Sequence, residues 1–305
     1  MIERFHAAIL AFIFNFGLNL IGPIDGYPKG NGIPTLKAFL LQLIGKIMAS
    51  TSVSSSSSSP VLAGKVAFVT GGSRGIGAAI VRRLAHDGAA VAFTYVSAQA
   101  EADKLAGEIQ AAGGRALAIR ADAGDAAALT AAIAQGARAF ERLDILVNNA
   151  GVYLGGDLDT FSLDDFDRTI DVNVRATFVA VQAAARHMGD GTGRIVNIGS
   201  VNAERVFDAG ASVYAMSKAA IVGLTRGLAR DLGPRGITVN NVQPGPIDTT
   251  MNPATGPRAS SMHDVMVLSR HGRGEEIAGM VAYLVGPDGG FVTGANLSVD
   301  GGYTV

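Results

Sequence analysis

From residue 61 to the end of the chain, apolar β-rich runs alternate with Ala-rich stretches of helical period. The runs at 66–70, 90–95, 116–120, 145–147, 194–198, 238–242 and 296–299 are near-continuously apolar rather than apolar on every second residue. Strands of that kind are covered on both faces, as in a parallel sheet flanked by helices. Helical stretches fall between them near 75–87, 98–112, 125–140, 164–188, 213–231 and 274–286. The expectation is one doubly wound α/β domain over 61–305, with a mostly parallel sheet of about seven strands and ligands outside the strands' carboxyl ends. With 48% hydrophobic and 17% charged residues in 305, the chain can supply the core that such a domain needs.

Residues 1–60 follow a different rule. An apolar stretch at 7–22, interrupted by Asn15 and Asn19, falls short of the roughly 20 residues that cross a bilayer. Arg4 precedes it as in a signal peptide, yet no small-x-small cleavage site follows. Met48-Ala49-Ser50 reads as an ordinary start, so the stretch before it is expected to be an over-extended reading frame rather than a targeting segment or anchor. The six serines Ser54 to Ser59, ended by Pro60, read as a flexible tail. Residues 1–60 are therefore expected to lie outside the working domain.

Charge and cysteine content exclude several classes. With 25 basic and 26 acidic residues, nothing provides the basic face a nucleic-acid polymer requires. No cysteine is present, which removes disulfides, thiolate catalysis and thiolate metal sites. The five histidines, His6, His86, His187, His263 and His271, are scattered without ligand spacing, so no metal site is expected.

Thr70-Gly71-Gly72-Ser73-Arg74-Gly75-Ile76-Gly77 sits where the first strand gives way to the first helix. Glycines at 71, 75 and 77 allow a tight turn, close approach of a pyrophosphate and close helix–strand packing. The helix N-terminus then offers free N–H groups and a positive dipole to phosphate.

The spacing Gly-x-x-x-Gly-x-Gly resembles the cofactor loop of the short-chain dehydrogenase/reductase family, and further motifs fall in the family's order. Asp122, in Arg120-Ala121-Asp122-Ala123, resembles the acid that contacts adenine. Asn148-Asn149-Ala150-Gly151 resembles the motif that ends the fourth strand and lines the cofactor cleft. Asn173, in Asp171-Val172-Asn173-Val174, resembles the helix asparagine of the catalytic tetrad, and Pro244-Gly245-Pro246-Ile247-Asp248-Thr249 the loop that holds the nicotinamide carboxamide. The resemblance covers 61–305 and implies a Rossmann-type oxidoreductase. The cofactor-binding residues it implies are Gly71, Ser73, Arg74, Gly75, Ile76, Gly77, Asp122, Ala123, Asn149, Ala150, Gly151, Tyr214, Lys218, Pro244, Ile247 and Thr249.

Carbonyl reduction needs a hydride, a proton donor and a group that polarises the oxygen. Tyr214-Ala215-Met216-Ser217-Lys218 puts a phenol and an ammonium on one helix face. A phenol titrates near 10; a lysine charge about 5 Å away at an effective dielectric near 20 would lower that by about two. Ser200 stands fourteen residues upstream, at the end of the run 194–198. The resemblance implies that Ser200 orients the carbonyl, Tyr214 donates the proton, Lys218 also holds the ribose, and Asn173 anchors a water relay.

No acid occupies 92–98, the end of the second strand, where NAD-specific sites carry one, while Arg74 can face a 2′-phosphate. NADP(H) is expected ahead of NAD(H). The general resemblance is to 3-oxoacyl-carrier-protein reductases, which implies a ketone or 3-oxoacyl-type carbonyl as substrate, or the alcohol in reverse. The stretches 199–205, 243–249 and 251–253 are similar to a bacterial branch of the family that includes a cyclic-di-GMP-binding biofilm dispersal mediator. That raises the alternative of a nucleotide-binding regulator on a reductase scaffold. The Ala/Val-rich helices 164–188 and 213–231 and the resemblance together imply a homodimer or homotetramer, and a cytoplasmic location is expected.

Overall fold

The computed structural model describes residues 60–207 and 209–305; the apolar stretch 7–22, the start at Met48 and the serine run lie outside the described residues. Seven strands form one sheet: β1 Val66–Val69, β2 Ala90–Tyr95, β3 Ala116–Arg120, β4 Ile145–Asn148, β5 Arg194–Ile198, β6 Thr238–Pro244 and β7 Asn296–Val299. Their order is β3-β2-β1-β4-β5-β6-β7, and every pairing is parallel. The chain runs outward from β1 in one direction and from β4 in the other, so the point where it reverses lies between them.

The helices are α1 Gly75–His86, α2 Gln99–Ala111, α3 Ala126–Phe140, α4 Leu163–Ile170, α5 Ala176–Ala185, α6 Ser212–Leu232, α7 Ala259–Asp264 and α8 Gly274–Val285. Successive strand residues point to opposite faces, and both faces are buried. Ala67, Val69, Val91 and Phe93 pack with Ile80, Leu84, Leu105, Ile277 and Val281 of α1, α2 and α8. Val66, Phe68, Leu146 and Ile195 pack with Leu129, Ile133, Val181 and Leu228 of α3, α5 and α6. This double covering is the reason that the strands read as unbroken apolar runs. Burial of each large side chain is worth about 1.5–3 kcal/mol. Among the described residues no helix is long and apolar enough to cross a membrane.

One expectation about the fold needs correction. The helix expected over 164–188 is interrupted: α4 ends at Ile170, a π-turn spans Asp171–Arg175, and α5 follows. Asn173 lies in that turn, and its side chain bonds Val152 and Ser217. Isolated π-turns of this kind gather at functional positions. The stretch 251–271 contains a short helix, α7.

Candidate active site

The residues after β1 are pinned from both neighbouring strands. Thr70 Oγ1 accepts from the backbone N–H of Asn149 at 3.0 Å and of Ala150 at 2.9 Å. Asn149 Nδ2 donates to the carbonyls of Thr70 at 3.0 Å and Gly71 at 2.9 Å. On the other side, Gly71 N–H donates to Thr94 Oγ1 at 3.0 Å. Gly71 turns the chain with φ of 64°. Gly77 has a different requirement: a Cβ there would stand 2.2 Å from the Gly71 carbonyl oxygen and 2.5 Å from Asn149 Nδ2. Side chains cap α3 through Asp125 and α4 through Ser162, whereas α1 has no side-chain cap at its N-terminus. Its first N–H groups are left to whatever the glycine loop holds, which is how a helix N-terminus receives phosphate. A bare, backbone-walled cradle with a positive end fits a dinucleotide's pyrophosphate.

One cleft of about 500 Å³ runs from this loop to β5 and α6. It is lined by Gly71, Ser73, Arg74, Gly75, Ile76, Gly77, Asp122, Ala123, Asn149, Ala150, Gly151, Ser200, Tyr214, Lys218, Pro244, Ile247 and Thr249. Of the residues singled out in the sequence, Asn173 alone stands behind the wall. It is 2% exposed. Its Oδ1 accepts from Val152 N–H at 2.9 Å, and its Nδ2 donates to the Val152 carbonyl and the Ser217 hydroxyl, both at 3.0 Å.

Ser200 and Tyr214 line the same stretch of the cleft. Ser200 caps the short turn Val201–Ala203, accepting from Asn202 N–H at 3.1 Å, and Gln243 Nε2 holds the Ser200 carbonyl at 3.2 Å. Tyr214 is half-buried as a residue, but its hydroxyl lies deep, and burial pushes its pKa above the usual phenol value. The Ser200 hydrogen bond works against that rise, and Tyr153, edge-on to the Tyr214 ring at 5.0 Å, adds to it. This reverses the downward shift expected from Lys218. Lys218 Nζ is 5.7 Å from the centre of the Tyr214 ring and donates to the Ile198 carbonyl at 3.0 Å. Its own burial lowers it to about 8. Sequence spacing set the two groups on one face but could not show that desolvation would outweigh their attraction.

Asp122 accepts from Gly124 N–H at 2.8 Å and pairs both oxygens with Arg168 at 3.0 Å. Burial raises its pKa, and the Arg168 and Gly124 hydrogen bonds overcome this to leave the carboxyl below its usual value. Arg74 lines both the cleft and an adjoining depression with Arg82, Glu101, Lys104 and Arg273. The wall formed by Thr94, Tyr95, Val96, Ser97 and Ala98 has no carboxylate.

Sequence reasoning missed Thr70, Thr94, Tyr153, Arg168 and Gln243. Only Thr70, adjacent to the first glycine, carried a local signal. The others reach the site through tertiary packing. Beneath the site, Asn148 Nδ2 donates to Asn197 Oδ1 and Asn197 Nδ2 to Thr225 Oγ1, both at 2.9 Å, tying β4, β5 and α6 together.

A family model described as enoyl-(acyl carrier protein) reductase matches residues 71–304. The cyclic-di-GMP-binding biofilm dispersal mediator protein of Escherichia coli is 49% identical over 240 residues, covering 79% of this chain and 97% of the relative. A solved short-chain dehydrogenase/reductase from Serratia marcescens is 61% identical with a TM-score of 0.79, covering 80% of this chain and 100% of its own. A short-chain dehydrogenase from Burkholderia cenocepacia, solved in complex with NADP, is 55% identical with a TM-score of 0.79 over the same shares. The fold, the order of the motifs and these likenesses together make the chain a member of the short-chain dehydrogenase/reductase family, and an oxidoreductase.

Proposed function

We propose that the protein is an NADPH-dependent reductase that converts a ketone or 3-oxoacyl-type carbonyl reversibly to an alcohol, with Tyr214 as acid and base. The observation that carries this reading is the gathering of Ser200, Tyr214 and Lys218 along one cleft, with the buried Lys218 Nζ 5.7 Å from the centre of the Tyr214 ring. The N-terminus of α1 and the loop Gly71, Ser73, Gly75, Ile76, Gly77 would hold the pyrophosphate, and Arg74 a 2′-phosphate. Asp122, kept in place by Arg168, and Ala123 would face the adenine. Asn149, Ala150 and Gly151 would line the middle, Tyr214 and Lys218 the ribose, and Pro244, Ile247 and Thr249 the carboxamide. NAD(H) is the second choice of cofactor.

A reduced nicotinamide held there would supply hydride for the carbonyl carbon. Ser200 donates a hydrogen bond to the carbonyl oxygen, and Tyr214 transfers its phenolic proton to that oxygen as negative charge develops. The raised phenol pKa keeps the donor protonated throughout the neutral range. Lys218, with Asn173 behind it, returns the proton to Tyr214 through water. In the alcohol-oxidising direction Tyr214 must first lose its proton, so that direction gains with rising pH.

Screening ketones and 3-oxoacyl thioesters for NADPH oxidation tests the reading. Turnover of at least one is expected, and loss of turnover across all carbonyl classes would sink it. The named activity of the Escherichia coli relative favours one alternative, a cyclic-di-GMP-binding regulator on the same scaffold. Calorimetry with that dinucleotide separates the two, because binding without turnover belongs to the regulator. The remaining parts of the proposal are a domain at 61–305 that works without residues 1–60, a homodimer or homotetramer, and a cytoplasmic location.

A further inference from the structure

Two histidines that look unrelated in the sequence are bonded in the structure. His263 Nε2 on α7 lies 2.7 Å from His271 Nδ1, with the rings edge-on at 4.9 Å. His271 is 6% exposed. Its Nε2 stands 3.2 Å from Asn252 Nδ2, and Asn252 lines the cleft beside Thr249, Thr250 and Met251. The backbone next to His271 is stitched to the loop after β6: Gly272 N–H donates to the Pro246 carbonyl and Asp248 N–H to the Gly272 carbonyl, both at 2.9 Å. Asn252 N–H closes its own turn on the Thr249 carbonyl at 3.1 Å and hydroxyl at 3.2 Å. One buried imidazole thus joins the segment leading into α8, the cleft-lining turn 249–252, and α7, whose Met262 also lines the cleft.

Donor and acceptor chemistry sets the tautomers. An amide nitrogen only donates, so His271 Nε2 accepts from Asn252. A neutral His271 then carries its hydrogen on Nδ1 and donates it to His263 Nε2. A proton added at His263 Nε2 sets two N–H groups face to face. The conflict is relieved only if the pair separates, or if His271 switches tautomer and Asn252 turns its carbonyl oxygen toward Nε2. Each outcome alters the hold on Asn252.

We propose that His271, acting with His263, is a positioning residue for the cleft: the neutral pair holds the turn 249–252 and α7 in place, and protonation of the pair releases them. The effect on turnover rests on the reductase reading; the release itself does not. Other ionisable groups around the pair are Asp248 on the stitched loop, Asp264 beside His263 on α7, and Arg270, Arg273 and Glu276 at the entry to α8. Arg270 and Glu276 are paired with each other at 2.7 Å. Burial, followed by the neighbouring His263, disfavours charge on His271, and Asp248 opposes this in part. The held form therefore excludes the proton, and falling pH favours the released form, below the usual imidazole value of about 6.5.

Amide hydrogen exchange of the full chain, corrected for the intrinsic effect of pH, reads this without any substrate. Protection across 249–264 is expected to fall about tenfold between about pH 8 and about pH 5.5 in the wild type. His263→Phe, which keeps a ring but no acceptor, is expected to be weakly protected at both pH values and to show no step. His86→Gln, at an exposed histidine elsewhere, is expected to keep the step. Should His263→Phe not fold, imidazole nitrogen NMR of the wild type decides, with the His271 hydrogen expected on Nδ1. Protection independent of pH in the wild type, a step that survives in His263→Phe, or a His271 hydrogen on Nε2 would overturn the proposal. Once a ketone substrate is known, kcat/KM is expected to fall in the same pH window.

Discussion

The two ends of the cleft are built from different material. The end beside β1 is made of backbone: Gly71, Gly75 and Gly77, the open N-terminus of α1, and the hydroxyls of Thr70 and Thr94 that hold the turn. The end beside β5 and α6 is made of buried side chains, with Ser200, Lys218 and Asn173 each under a tenth exposed. A backbone surface tolerates little change in shape but carries no ionisable group. A side-chain surface carries the chemistry and bears the cost of taking charge out of water. The two ends should therefore fail in different ways when altered.

The largest effect of shape is expected at Gly77→Ala. The added carbon would meet the Gly71 carbonyl oxygen, a backbone atom, at 2.2 Å and Asn149 Nδ2 at 2.5 Å. A displaced loop should weaken NADPH by about 3 kcal/mol or roughly 100-fold, read by fluorescence titration. Wild-type affinity in this variant would show that the glycine loop does not hold the cofactor.

Lys218→Met tests the opposite end. The fall of Lys218 from 10.5 to about 8 corresponds to about 3 kcal/mol of burial cost at neutral pH, offset by about 1 kcal/mol for its hydrogen bond to Ile198. The lowered value means that the unfolded chain takes up a proton between those two pH values before the folded one does. Wild-type stability should therefore decline as pH falls through that window and stay reduced below it. Urea unfolding at about pH 7 should find Lys218→Met more stable by about 2 kcal/mol, with the pH slope gone and turnover lost. A destabilised variant would mean that the ammonium is held by more than the Ile198 carbonyl.

A smaller effect is expected at the cleft's mouth. Arg74→Ala should weaken NADPH about tenfold, or about 1.4 kcal/mol, and leave NADH nearly unchanged. Equal losses for both cofactors would remove Arg74 from the 2′-phosphate.

The same contrast explains what could be read from the sequence. Unbroken apolar strands, alternating helices and the spacing of Gly71, Gly75 and Gly77 are local patterns with few structural solutions, so the sheet and the cofactor loop were legible. Tyr214 and Lys218 were legible as a pair because helix geometry fixes residues four apart. Their electrostatics were not, because burial depends on packing by β5 and β6, far away in the chain. Asn173 sits on a π-turn that no periodicity announces. Arg168, His263 and His271 acquire partners only when distant segments meet: Arg168 and Asp122 are 46 residues apart.

The central claim is that Tyr214 is the proton donor at the side-chain end of the cleft. Steady-state NADPH-dependent reduction of the screened ketone by Tyr214→Phe, with NADPH affinity followed by fluorescence, tests it most directly. The ring and its edge-on contact with Tyr153 remain, so folding and cofactor affinity should stay near wild type. Turnover should fall by about 10²–10⁴, or roughly 3–5 kcal/mol of barrier. Near-normal turnover in the folded variant would contradict the account.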